Sequence, residues 1–193
     1  MISKQTKYAW AITAVALVTS FVLLRRRSSN PPSLINTDYD MSTNQKLPRG
    51  YRNNNPLNIR FNAGNAWKGK VLPNTDKNNT FEQFINLAYG YRAALSLLRT
   101  YIRKYGCNTV AKLITRWAPP TENNTNGYIN HVCEFVSDLG TPITADTTLA
   151  TTDRDKLCKI AYAMSIVENG ITPETKAAGL PNMEIINEAW KLL

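Results

Sequence analysis

Histidine and cysteine are scarce in this sequence, and their scarcity excludes several kinds of chemistry. The 193-residue chain has one histidine, His131, and three cysteines, Cys107, Cys133 and Cys158. A histidine-based metal site or a Ser/His/Asp triad would depend on His131 alone, and Cys133, two positions later on a predicted helix, points in a different direction. An odd number of widely spaced cysteines argues against a disulfide scaffold, so we expect buried free thiols. We therefore expect neither a metal ion nor a cofactor.

Long basic blocks are also missing, as are glycine-rich phosphate-binding motifs and zinc-ligand spacings. The formal net charge of +9 comes from basic residues scattered along the chain. Such a surface suits any polyanion and does not single out nucleic acid, which we do not expect as a partner. A hydrophobic content of 43% is sufficient for a folded core.

The first 46 residues differ in composition from the rest. Tyr8–Leu24 is an uncharged run of seventeen residues, and Arg25–Arg27 follow where a cleavable signal would carry small neutral residues. This pattern predicts a single-pass membrane anchor in residues 1–27, with residues 8–24 in the lipid. Residues 28–46 are rich in Ser, Asn, Pro, Thr and Asp and predict a flexible linker. Residues 47–193 form the predicted folded domain.

Helical periodicity dominates this domain. Apolar residues recur at spacings of three and four in a long helix over 85–105, and capping residues and glycine stops mark further helices after Thr109, Thr125 and Asp153. Before them, three short β-prone pieces alternate with Asn, Gly, Pro and Asp: 57–61, 67–71 and 80–84. The pattern predicts a mostly helical α+β domain with one small antiparallel sheet.

Glu168 is the most informative carboxylate. It continues the apolar stripe of the helix that begins after Asp153, and it lies in the last turn, before Asn169 and Gly170. Burial and the negative end of the helix dipole both disfavour its ionised form. A carboxyl group that keeps its proton near neutral pH can act as a general acid, so we take Glu168 as the candidate catalytic residue. A solvated glutamate at a fraying helix end is the alternative.

Glycoside hydrolysis is the reaction class that uses carboxylates most directly, and a second carboxylate is available. Glu82, in a β-prone piece, and Glu122, in the loop after Pro119-Pro120, are the alternative catalytic residues; each could equally be a structural or solvated charge. Asn53–Asn55 are either turn formers or a polar wall that binds sugar hydroxyl and acetamido groups. Trp67 would then provide a stacking platform for a sugar ring.

Several segments carry a resemblance to a known family. RGYRNNNPLNIR, WKGK, YGYRAALSLLRTYIRKYG, RWAPPTENNTNGYINHV and IVENG occur in this order between Leu47 and Gly170. They resemble a phage and prophage family of virion-associated structural proteins with a lysozyme-like, lytic-transglycosylase-type domain. In lysozyme-like enzymes the element that carries the catalytic glutamate comes first. Here the similar SIVENGITP comes last, which implies a circular permutation.

The resemblance implies that the substrate is the MurNAc-GlcNAc backbone of peptidoglycan. Glu168 would protonate the glycosidic oxygen, and Asn54, Asn55, Asn58 and Tyr128 would line the groove. The sugar's own 6-hydroxyl could then attack, so that no second carboxylate is required. The protein would be located in a virion membrane or the bacterial cell envelope, with other virion proteins as further partners.

Two other functions fit the same sequence. The domain could be a non-catalytic virion structural or wall-binding protein, or it could cleave the peptides of peptidoglycan in place of its glycan. The identity of the products separates the two cleavage reactions, and a lack of released products indicates a binding or structural role.

Overall fold

The computed structural model describes residues 45–193. The predicted membrane anchor, and the predicted linker up to residue 44, lie outside the described residues. None of the helices between residues 45 and 193 combines the length and the apolar character that crossing a bilayer requires.

The described part of the chain is mostly helical, as predicted. It contains seven α-helices, which we number in chain order: Arg49–Arg52 (α1), Leu87–Tyr105 (α2), Val110–Trp117 (α3), Thr125–Asp138 (α4), Arg154–Asn169 (α5), Pro173–Ala177 (α6) and Met183–Lys191 (α7). One 3-10 turn, Lys77–Asn79, precedes α2.

The prediction of a small antiparallel sheet is only partly met. Between α1 and α2, the structure has two isolated antiparallel bridges, Arg60 with Phe81 and Lys70 with Phe84, and the described residues contain no extended strand. The pairing direction is the predicted one, but the ladder does not extend. We call residues 53–84 the Asn-rich segment.

Asparagine side chains explain why no ladder forms there. The Asn55 amide donates to the carbonyl oxygens of Ile59 and Glu82, and its own oxygen accepts from the Ile59 N–H, so a side chain takes the place of a neighbouring strand. Asn54 and Asn58 also adopt positive φ angles of 52° and 50°, which a continuous strand does not permit. Local side-chain bonds therefore replace sheet pairing in this segment.

The core is built on α2 and α5. The predicted apolar face of α2 is buried at Tyr91, Ala94, Leu95 and Leu98, and α2 packs most extensively on α7. Helix α5 contacts α2, α4 and α7, and its stripe of Leu157, Ile160, Ala161 and Met164 is buried as predicted. This buried stripe fixes the rotation of α5 and therefore the direction of Glu168 at its end.

The helix-end signals in the sequence hold at some positions and fail at others. Thr109 caps α3, and Gly106 ends α2 in the left-handed conformation, both as predicted. Asn124, not Thr125, caps α4, because its side-chain oxygen accepts from the Gly127 N–H. Asp153 makes no capping bond to α5, since its carboxylate accepts from the Ala150 N–H instead.

A close approach at Gly90 holds the Asn-rich segment against α2. A Cβ atom at Gly90 would overlap the carbonyl oxygen of Asn54, so only glycine allows this contact. Within the segment, the Asn54 amide donates to the carbonyl oxygen of Phe84 at 3.0 Å. The segment is thereby fixed against the helical core beside the end of α5.

Candidate active site

Glu168 lies in the last turn of α5, half-buried. The helix ends at Asn169, and Gly170 follows with φ 71° and ψ 171°, which is outside the left-handed helical region expected from the sequence. The Asn169 amide donates to the carbonyl oxygen of Pro56 at 2.7 Å, so the end of α5 is joined to the Asn-rich segment. The glutamate is held in place and does not fray into solvent.

Three neutral donors bind the Glu168 carboxylate. The Tyr128 hydroxyl lies 3.0 Å and the Trp117 indole nitrogen 3.1 Å from Oε1, and the Asn58 side-chain amide lies 3.0 Å from Oε2. Tyr128 belongs to α4, Trp117 ends α3, and Asn58 belongs to the Asn-rich segment. Side chains from four distant parts of the chain thus converge on one carboxyl group.

Tyr128 is the titratable side chain among these three donors. Burial, followed by the charge of Glu168 and its hydrogen bond, raises the pKa of Tyr128 well above its ordinary value. Tyr128 therefore keeps its proton at physiological pH and can serve as a neutral donor to the carboxylate.

A cleft of about 490 Å³ opens beside Glu168. Its aromatic lining comes from both the Asn-rich segment and the helices: Phe61, Trp67, Phe81, Tyr101 and Trp117. Its polar lining includes Asn58, Arg60 and Glu122. Aromatic faces beside amide and carboxyl groups suit a ligand with apolar ring faces and polar edges, which is the character of a sugar.

The structure brings five of the predicted site residues together at this cleft. Glu168, Asn58 and Trp67 line it. Tyr128 of α4 is buried, and its hydroxyl donates a hydrogen bond to Glu168. Glu122 also lines it, with its side chain 64% exposed. The stacking role of Trp67 stays a prediction.

Two predicted groove residues, Asn54 and Asn55, do not line the cleft. Asn55 is fully buried, and both ends of its amide bind backbone groups of Ile59 and Glu82. The amide of Asn54 likewise binds backbone. Their positions agree with the alternative that the asparagines shape turns.

Glu82 is enclosed away from the cleft lining. It is fully buried, and the Lys70 ammonium lies 3.1 Å from each of its carboxylate oxygens. Lys70 is also nearly buried, and it donates to the carbonyl oxygens of Asn62 and Asn65. This arrangement gives Glu82 a structural partner and no exposure to a ligand.

Trp117, Tyr101 and Arg60 belong to the cleft but were not singled out from the sequence. Trp117 lies four positions after Leu113 and three after Ile114, on the apolar side of α3, so its spacing is that of a core residue. Only the adjacent Pro119-Pro120, which ends the helix, indicated that this turn borders a loop. Sequence spacing does not distinguish a buried aromatic ring from one that lines a cleft.

Within residues 45–193, no group of three or more His, Cys, Asp or Glu side chains is arranged to hold a metal ion. His131 is exposed on α4, 3.8 Å from Glu134. The three cysteines are free thiols; Cys107 and Cys158 are buried, whereas Cys133 is only partly buried.

Part of the chain is similar in sequence to a known phage protein. The chain is 46% identical over 86 residues to Protein P5 of Pseudoalteromonas phage PM2. The match covers 44% of this chain and 52% of that protein, so the chain spans about half the length of the relative. No protein-family model matches the chain. The chain is therefore similar, over part of its length, to a phage protein.

Proposed function

We propose that this domain cleaves the MurNAc-GlcNAc backbone of peptidoglycan, with Glu168 as the proton donor. One observation carries the proposal: a half-buried carboxyl group, positioned by Tyr128, Trp117 and Asn58, borders an aromatic cleft. A lysozyme-like arrangement, in which a helix ends at the catalytic glutamate beside an irregular Asn-rich segment, is part of the proposal.

In the first step, Glu168 gives its proton to the glycosidic oxygen, and the bond between that oxygen and C1 of MurNAc breaks. In a transglycosylase, the resulting carboxylate accepts the proton of the MurNAc 6-hydroxyl as its oxygen attacks C1, which yields an anhydro-sugar. In a muramidase, water attacks instead, and Glu122, on the same cleft, is the candidate second carboxylate.

Glu168 must carry a proton at the start of this reaction. A glycan in the cleft would exclude water from the carboxyl group. Loss of that water disfavours the charge. The Tyr128 hydroxyl can also rotate to accept a hydrogen bond from a protonated Glu168, since a hydroxyl both donates and accepts.

The setting we propose is a phage virion or the envelope of its host. The predicted membrane anchor at residues 8–24 would hold the enzyme at a lipid membrane, where it would open the wall locally during entry or lysis. The similarity to Protein P5 supports a phage role of some kind.

The test uses the full-length chain, purified in detergent and incubated with peptidoglycan. Mass spectrometry should find anhydro-muropeptides for a transglycosylase or reducing ends for a muramidase, while new free amino groups would indicate a peptidase. Glu168→Gln should lower the cleavage rate by about 10² to 10⁴, the usual contribution of a general acid. Full activity in this variant would refute the role of Glu168.

Glu122→Gln separates the two glycan reactions. It should leave a transglycosylase active, and it should inactivate a muramidase about as strongly as Glu168→Gln does.

The second candidate function is a non-catalytic virion structural or wall-binding protein. The comparison favours it over the enzyme, because the match is to a phage protein whose name states no activity. For this candidate, the wild-type chain releases no product from peptidoglycan, and Glu168→Gln alters neither wall binding nor incorporation into virions.

A further inference from the structure

Arg60 and Glu122 form an ion pair at the cleft that bears Glu168. The Arg60 Nη2 atom lies 3.3 Å from the Glu122 Oε2 atom, and the two side chains are 77% and 64% exposed. Arg60 belongs to the Asn-rich segment and Glu122 to the loop between α3 and α4. The pair thus joins two parts of the chain that both line the cleft.

A structural arginine in the same region shows what Arg60 lacks. Arg49 binds both oxygens of Asp76 at 2.8 and 2.6 Å, donates to the Lys77 carbonyl oxygen and stacks over the Phe81 ring. The side chain of Arg60 has a single hydrogen-bond partner within residues 45–193, and it is Glu122. Most of its donors therefore face solvent at the cleft.

An exposed pair with one long contact is weak. Pairs of this kind contribute little to stability, so another anion can replace Glu122 with little loss. A guanidinium group binds carboxylates through two parallel hydrogen bonds, whereas the hydroxyl and acetamido groups of a neutral glycan need no positive charge.

We propose that Arg60 binds a carboxylate of the peptidoglycan chain, and that Glu122 occupies this position when the cleft is empty. The inference rests on the proposed function and deepens it, because it assigns the cleft to anionic glycans in preference to neutral ones. Peptidoglycan offers two such carboxylates: the lactyl group of MurNAc where the peptide is absent, and the peptide stem where it is present.

The test measures the affinity of full-length Glu168→Gln protein, which should bind without turnover, for three ligands. They are a neutral GlcNAc oligomer, a peptidoglycan glycan without stems and the same glycan with stems. Arg60→Gln should weaken binding of at least one anionic glycan about tenfold, as expected for a charge-assisted hydrogen bond, and change the neutral oligomer less than about twofold. The anionic ligand that is affected identifies the carboxylate.

Two further variants sharpen the test. Glu122→Gln should strengthen binding of the same anionic glycan, because it removes the competing carboxylate. Arg103→Gln is the matched control, since it removes an exposed arginine from α2 outside the cleft lining. It should change none of the affinities by more than about twofold. A larger change would mean that the net positive charge of the protein, and not Arg60 itself, attracts the anionic glycans.

The outcomes separate this inference from the function on which it rests. If all three glycans bind and Arg60→Gln affects neutral and anionic ligands equally, the carboxylate site is wrong and the glycan cleft stands. The same conclusion follows if Arg103→Gln has as large an effect as Arg60→Gln. If none of the glycans binds, both the cleft assignment and this inference are wrong. If Glu168→Gln still cleaves, only the role of Glu168 falls.

Discussion

The sites around Glu82 and Glu168 hold carboxyl groups by opposite means. Glu82 is fully buried and faces a nearly buried ammonium group, Lys70, whereas Glu168 faces three neutral donors and borders a cleft. The charged partner encloses Glu82 within the fold, away from any ligand. The neutral donors position Glu168 at the cleft, where a proton donor must lie.

The largest expected effect on stability is at the charged site. Lys70→Met leaves Glu82 buried without its positive partner, so we expect the free energy of unfolding to fall by about 3 to 5 kcal/mol. Denaturant titration of the full-length chain measures this change. The double variant Lys70→Met with Glu82→Leu removes both charges and should recover most of the loss. A loss below about 1 kcal/mol in the single variant would show that the pair is not an essential part of the fold.

Asp76 provides an intermediate case, because it binds both a charged and a neutral side chain. Burial alone would raise its pKa, but hydrogen bonds from Arg49, Asn53 and the Phe81 N–H outweigh burial and lower the pKa from 3.8 to about 2. A lowered pKa in the folded state adds stability above about pH 4, and this stability is lost as the pH falls towards 2. The difference of nearly two pKa units corresponds to about 2 kcal/mol.

This prediction is measured as unfolding free energy against pH, with Asp76→Asn as the reference. The wild type should lose about 2 kcal/mol more than Asp76→Asn between pH 4 and pH 2. Parallel curves for the two proteins would mean that the Arg49 and Asn53 contacts do not hold in solution.

The smallest expected effect is at the neutral site. Tyr128→Phe removes one donor from Glu168, and we expect a fall of about tenfold in cleavage rate, within the range of a group that orients a general acid. The unfolding free energy should change by only about 1 kcal/mol, the usual net value of one hydrogen bond. Cleavage assays and denaturant titration of the same preparations test both statements.

Tyr91→Phe is the matched control. Tyr91 is a buried tyrosine of α2 whose hydroxyl binds Ser165 on α5, the helix that carries Glu168. It makes no hydrogen bond to Glu168 itself. It should match Tyr128→Phe in stability and keep full activity. If both variants lose activity equally, the effect comes from general destabilisation and not from the contact with Glu168.

Local sequence signals determined the helical part of the molecule. Apolar residues at spacings of three and four predicted α2 and α5, and Thr109 and Gly106 marked two helix ends, because caps and amphipathic faces depend on neighbours a few positions away. The same periodicity turned Glu168 towards the interior. The candidate carboxylate could therefore be chosen from the sequence alone.

Tertiary contacts decided what surrounds that carboxylate. Asn55 and Asn58 are the same residue type and lie three positions apart. Asn58 binds Glu168, whereas the side chain of Asn55 binds backbone groups that a neighbouring strand would otherwise pair with. Trp117 has the spacing of a core residue but reaches Glu168 from 51 positions away. Residues that are distant in the chain meet only when the helices pack. Spacing encodes the direction of a side chain but not its distant neighbours. The sequence therefore identified Glu168 as the candidate carboxylate, and the tertiary structure decided which residues bind it.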